Sequence, residues 1–191
     1  MRWTIDRAGG DKLPSGMNQR TNQGMNHAMN ERPIYVPPGG PPRVAPPSPE
    51  IYAAMGEENI FAMMRDFYLE LEKSSISHLF PLNNMMAAAD RSAAFFVSLL
   101  GGPPLYQQLY GNPMMRARHM PFAIDETARM EWLRCFALVL EDAPVRYNFP
   151  AQHLLGFWAF LEGFSTWMVN TAPASTQAQP DPAAGLDLSG S

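Results

Sequence analysis

One histidine in this chain stands where it could do chemistry. His119 lies in Met114-Met115-Arg116-Ala117-Arg118-His119-Met120-Pro121-Phe122-Ala123-Ile124, with basic residues on one side and an apolar run on the other. A neutral imidazole can hold a metal through one ring nitrogen while the other donates to a carbonyl or carboxylate. The plainer alternative is an ordinary structural histidine, since most copies bind nothing. No HxxxH or HxxE pattern accompanies it, and the next carboxylate is Asp125. A zinc site built from protein groups alone is therefore disfavoured. Cys135 is the sole cysteine, which removes both an internal disulfide and a thiolate cluster. Of the other histidines, His27 sits in a Pro/Gly/Asn-rich arm, while His78 and His153 read as surface residues. Nucleophile motifs, phosphate loops and framed carboxylate pairs are all missing. What suits one companionless histidine in a helical, aromatic-rich domain is a metal that brings its own in-plane ligands. Haem is such a group, because its iron needs a single axial protein ligand.

The elements that must position this residue follow from composition and periodicity. A chain of 191 residues, 46% hydrophobic and 11% aromatic, can build one domain with a real core plus tails. Its net charge of −4, with 17% charged residues, argues against a nucleic-acid partner. No apolar run reaches the roughly 18 residues of a membrane helix, and Met1 to Arg7 lack the apolar core of a signal peptide. The expectation is a cytoplasmic protein with no membrane partner. Residues 1–49 hold nearly half of the 19 prolines and read as a disordered extension. Pro46-Pro47-Ser48-Pro49 has the form of a PxxP ligand, but a spacer is the simpler reading. Residues 172–191 read as a second unstructured tail. The folded domain is expected at 50–171.

Within that domain every periodic stretch is helical. A short helix over Ile51–Met55 should stop at Gly56, and a longer one from Glu58 to about Glu72 places Ile60, Phe61, Met64, Phe67, Tyr68 and Leu71 on one face. Met85–Leu100 is helical and ended by Gly101-Gly102-Pro103-Pro104. A short turn over Leu105–Tyr110 is broken by Gly111-Asn112-Pro113. Asp125 is an N-cap for Glu126–Glu141, with Ile124 placed as a hydrophobic staple. Pro150 opens the last helix, whose broad apolar face runs from Leu154 to Met168. The fold class is all-α, too unequal and interrupted for a symmetric four-helix bundle.

Phe67-Tyr68, Leu79-Phe80-Pro81, Gly101-Gly102-Pro103, Gly111-Asn112-Pro113, the Arg116 to Ile124 string and Glu131-Trp132-Leu133-Arg134 occur in the order and spacing of the truncated haemoglobins. The chain resembles their group II over about residues 51–170. The resemblance implies a two-over-two helical sandwich, a shortened globin, around haem b. It makes His119 the proximal iron ligand and Tyr68 the distal hydroxyl facing the ligand, with Trp132 bringing an indole N–H to the same pocket. Ala88 stands where many globins place a distal histidine and cannot ligate iron, so an open sixth position is expected. Ala88, Ser92, Phe95 and Phe96 share the distal face of their helix. Ser92 departs from the bulkier residue usual there, adding either a hydroxyl or space. Phe80 matches the aromatic wedged against the haem, without the hydroxyl that some relatives carry. Arg91, Arg116 and Tyr106 match propionate partners, with Arg118 a further candidate. Met115, Met120, Phe122 and Ile124 would line the proximal side. The family's glycine pair survives only as Gly56-Glu57.

By this resemblance the function is reversible binding of dioxygen and other diatomic ligands, supported by an electron-donating reductase. Retention by two donors also suits a peroxidase-like or nitric oxide dioxygenating enzyme. A non-haem helical interaction module with proline-rich arms is the remaining alternative.

Overall fold

Every regular element among the described residues, 32–172, is a helix in the computed structural model. The first, α1 (Glu50–Lys73), bends at Gly56, whose φ of 70° and ψ of 173° lie outside the helical range. A residue with a Cβ is strained at that φ. This glycine alone therefore serves as the break that the sequence places there. Beyond it Ile60, Met63, Met64, Phe67, Tyr68 and Leu71 are all buried at helical spacing. Two 3-10 turns, Ser77–Leu79 and Leu82–Asn84, lead into α2 (Met85–Leu99). A Cβ on Gly101, at φ +102°, would fall 2.5 Å from Pro49, and one on Gly102 would fall 2.5 Å from the Tyr52 ring. The glycine pair thus ends α2 and lets the start of α1 seat against it, where the Tyr52 N–H donates to the Leu100 carbonyl at 3.1 Å.

Three short pieces and two long ones follow: α3 (Leu105–Tyr110), α4 (Met115–His119), α5 (Glu126–Glu141), α6 (Ala143–Arg146) and α7 (Leu154–Met168), the last entered through a 3-10 turn at Ala151–His153. Asp125 caps α5 by accepting the Ala128 N–H at 2.8 Å, a bond worth about 1 kcal/mol. The staple expected of Ile124 does not form in the usual way, because the position it would need is the charged Arg129. Ile124 packs on the core and its backbone is held by Asn170 instead.

The helices pair as α1 with α2 and α5 with α7, and α1 also lies against α5. This is the two-over-two arrangement. Its centre is aromatic: Phe67 stacks on Phe136 at 3.8 Å between ring centroids, and Phe136 meets Phe96 and Phe157 at 5.8 and 6.4 Å. Burying side chains of this size contributes about 1.5 to 3 kcal/mol each. No helix among the described residues is long and apolar enough to cross a membrane.

Among the described residues, the stretch from Ile34 to Pro49 packs with the helical unit. The Tyr35 N–H donates to the Asn170 carbonyl at 3.0 Å. Val44 fills a notch at Gly163, where any Cβ would overlap its methyl group. Pro37 and Pro47 are buried. Proline has few backbone states to lose, so a handful of anchors can hold such a segment. Residues 1–31 and 173–191, including His27 and most of the expected tails, lie outside the described residues.

Candidate functional site

His119 is the last residue of α4, and its Nδ1 lies 2.7 Å from the Met115 carbonyl one turn earlier. A carbonyl only accepts, so Nδ1 carries the proton. Burial pushes the imidazole pKa below its usual 6.5, against an opposing pull from the Met115 bond. The ring is therefore neutral at pH 7, with its lone pair on Nε2, which takes no partner among the described residues. That is the state a metal-binding imidazole requires. Among the described residues no group of three or more His, Cys, Asp and Glu side chains could hold an ion. The donor set thus suits a metal that needs one protein ligand and does not suit a protein-built cage.

On the other helices, Tyr68 and Ser92 meet through their hydroxyls at 2.7 Å, joining α1 to α2. Burial raises the Tyr68 pKa above 10.0, opposed by the Ser92 bond and by the positive charge of Arg91. The phenol stays protonated and able to donate. Phe80 presents an edge contact to the Tyr68 ring at 5.8 Å. Phe67 stands between the two polar aromatics, 5.7 Å from Tyr68 and 5.6 Å from Trp132. The Trp132 indole N–H makes no hydrogen bond among the described residues, yet it is not sealed inside protein.

Further along α2, Ala88 is half-buried, and Phe95 contacts Tyr106 and Phe164 at 6.1 Å each. Exposed Arg91 lies 5.2 Å over the Tyr110 ring and makes no ion pair among the described residues. Arg118 sits 5.9 Å over buried Tyr106 and donates to the Pro113 carbonyl at 2.8 Å. Arg116 is directed elsewhere: its guanidinium donates to the carbonyls of Trp167, of Val169 at 3.2 Å and of Tyr35 at 2.9 Å. Those carbonyls occupy the fork that a propionate would need. Met115 is half-buried and gives its carbonyl to His119. His78 is exposed, and His153 pairs with Glu50 at 2.7 Å, so neither is available for a buried site.

One residue escaped the sequence altogether. Asn170 is wholly buried and ties the His119 carbonyl to the Ile124 N–H. Its only signal in the chain is an asparagine just past the last helix.

A two-over-two helical domain with one neutral, partly buried imidazole able to serve as a metal donor is the arrangement of a globin-type haem protein. The family model described as "Bacterial-like globin" matches residues 50–163, and the chain belongs to that family. It is 36% identical over 128 residues to the group 2 truncated hemoglobin YjbI of Bacillus subtilis, covering 66% of this chain and 93% of that protein. Among solved structures, the phosphate-bound Hell's gate globin IV is 40% identical with a TM-score of 0.64, over 69% of this chain and 81% of that one. The group II truncated hemoglobin of Bacillus anthracis is 31% identical with a TM-score of 0.58, over 64% of this chain and 97% of that one. The cofactor is haem b, and the general function is haem-based binding of dioxygen and related diatomic ligands.

Proposed function

We propose that His119 is the iron's only protein ligand and that Tyr68 and Trp132 are the donors that retain dioxygen. Haem supplies the iron at which a diatomic gas binds. The observation that carries the reading is the His119 imidazole: proton fixed on Nδ1 by the Met115 carbonyl at 2.7 Å, lone pair left on Nε2. That same bond sets the ring's orientation and raises its basicity as a ligand. On the distal side, the Ser92 hydroxyl can donate to the Tyr68 oxygen, which leaves the Tyr68 proton for the gas ligand. Ser92 thus contributes a hydroxyl rather than mere space. The Trp132 N–H adds a second donor. Charge-assisted bonds of this kind contribute about 1.5 to 3 kcal/mol, which favours slow release over rapid delivery. Ala88 leaves the distal position without a competing protein ligand. Arg91, beside Tyr110 and free of any ion pair among the described residues, is the best partner for a haem propionate, with Arg118 and Tyr106 next to it. A reductase that keeps the iron ferrous is implied.

A second reading, a peroxidase-like or nitric oxide dioxygenating enzyme, draws on the contiguous rings of Tyr68, Phe67 and Trp132. Both ends of that chain are oxidisable. Stopped-flow mixing with peroxide and a reducing substrate separates the two: turnover no faster than that of free haem leaves ligand binding as the function. Titration of the purified protein with haemin tests both. One equivalent should be taken up with a sharp Soret band, whereas a protein that stays colourless is a helical interaction module instead.

A further inference from the structure

We propose that Asn170 and Arg116 are positioning residues for His119, and that the segment around Tyr35 is the strap that locks them in place. The proposal rests on the reading of His119 as the iron ligand. Asn170 donates from Nδ2 to the His119 carbonyl at 3.0 Å and accepts the Ile124 N–H on Oδ1 at 3.1 Å. Its own backbone N–H reaches the Ile124 carbonyl at 2.9 Å. One wholly buried side chain therefore spans the loop 120–123 from both ends. Arg116, on the other side of His119, donates to carbonyls at the end of α7 and to the Tyr35 carbonyl at 2.9 Å, while lying 4.2 Å over the Trp167 ring. Tyr35 closes the circuit by donating its N–H to the Asn170 carbonyl at 3.0 Å.

The need for such ties follows from the size of α4. It has five residues and no side-chain cap, and a helix that short does not hold itself. The direction of the imidazole is set from Met115 through His119 Nδ1, so whatever fixes Met115 to Ile124 also fixes the ring. Tyr35 and Asn170 both lie outside the stretch 50–163 that matches the family model. The two flanks of the globin domain therefore converge on the proximal ligand and set its orientation.

Resonance Raman spectroscopy of the ferrous, haem-loaded full chain reads this through the iron–imidazole stretching band. Asn170→Ala and Tyr35→Pro, the latter lacking the N–H that bonds Asn170, should shift and broaden the band. Amide exchange at Arg118 and Phe122, which bond the Met114 and His119 carbonyls at 3.1 Å, should become about tenfold faster in both variants. Tyr35→Ala keeps both backbone bonds and should leave the band in place. Asn59→Ala, which removes a remote bond to the Met55 carbonyl, should do the same. A band unmoved in Asn170→Ala and Tyr35→Pro, or moved equally in Asn59→Ala, overturns the strap. A wild-type protein with no iron–imidazole band overturns the His119 reading and the strap together, so the two failures are told apart.

Discussion

Removing the Tyr68 hydroxyl should accelerate dioxygen release, and the size of the effect follows from its surroundings. The phenol is buried, protonated at neutral pH and 2.7 Å from Ser92 Oγ. In Tyr68→Phe the ligand loses one charge-assisted donor, at about 1.5 to 3 kcal/mol. That corresponds to roughly a ten- to hundredfold faster dissociation, since each 1.36 kcal/mol is a factor of ten. Ser92→Ala should act in the same direction but less, by about two- to tenfold, because it removes only the neutral bond that orients the phenol. The two substitutions should not add. With the Tyr68 hydroxyl gone, Ser92 has nothing to orient, so Ser92→Ala in the Tyr68→Phe background should change the rate little. Stopped-flow displacement of dioxygen by carbon monoxide gives all four rates. Slower release in Ser92→Ala would mean that Ser92 competes with the ligand for the Tyr68 proton. Unchanged release in Tyr68→Phe would mean that the phenol does not reach the ligand, and would refute the distal arrangement.

Other outcomes follow from single contacts. Phe136→Ala removes a fully buried ring stacked on Phe67 at 3.8 Å and should cost about 3 to 5 kcal/mol, read as a lower urea midpoint. The Tyr68 pKa is raised from 10.0, so its contribution is complete below that value and is lost only as pH rises through the higher folded pKa. Dioxygen release should accordingly be flat from about pH 7 to 10, and an acceleration well below 10 would contradict the assigned cause. Arg91→Gln should speed haem transfer to an acceptor globin by at most about fivefold, as befits an exposed ion pair.

Local signals were legible in the chain. Gly56, Gly101-Gly102 and Asp125 act within a turn or two of themselves, so the break in α1, the end of α2 and the start of α5 could be read from sequence. His119 stood out because nothing nearby could share a metal with it, although its role was carried mainly by resemblance to a known family. What escaped was long-range. Arg116 reads as a free cation beside a histidine, yet its guanidinium reaches a carbonyl 81 residues away. Asn170 works on partners 46 and 51 residues back. The proline-rich run from Ile34 has no periodicity at all, and it is held by fit, through Val44 at Gly163 and Tyr35 at Asn170. The helix α4 is too short to announce itself, since its shape comes from those distant anchors.

If a single imidazole, that of His119, holds the iron, its removal has a definite signature. His119→Gly should purify without a stable Soret band or with one that bleeds haem rapidly, while His78→Ala and His153→Ala keep the wild-type spectrum. Adding free imidazole should restore the wild-type spectrum to His119→Gly by filling the space that the side chain leaves. A His119→Gly protein that binds haem with an unaltered spectrum and no response to imidazole would mean that another residue holds the iron.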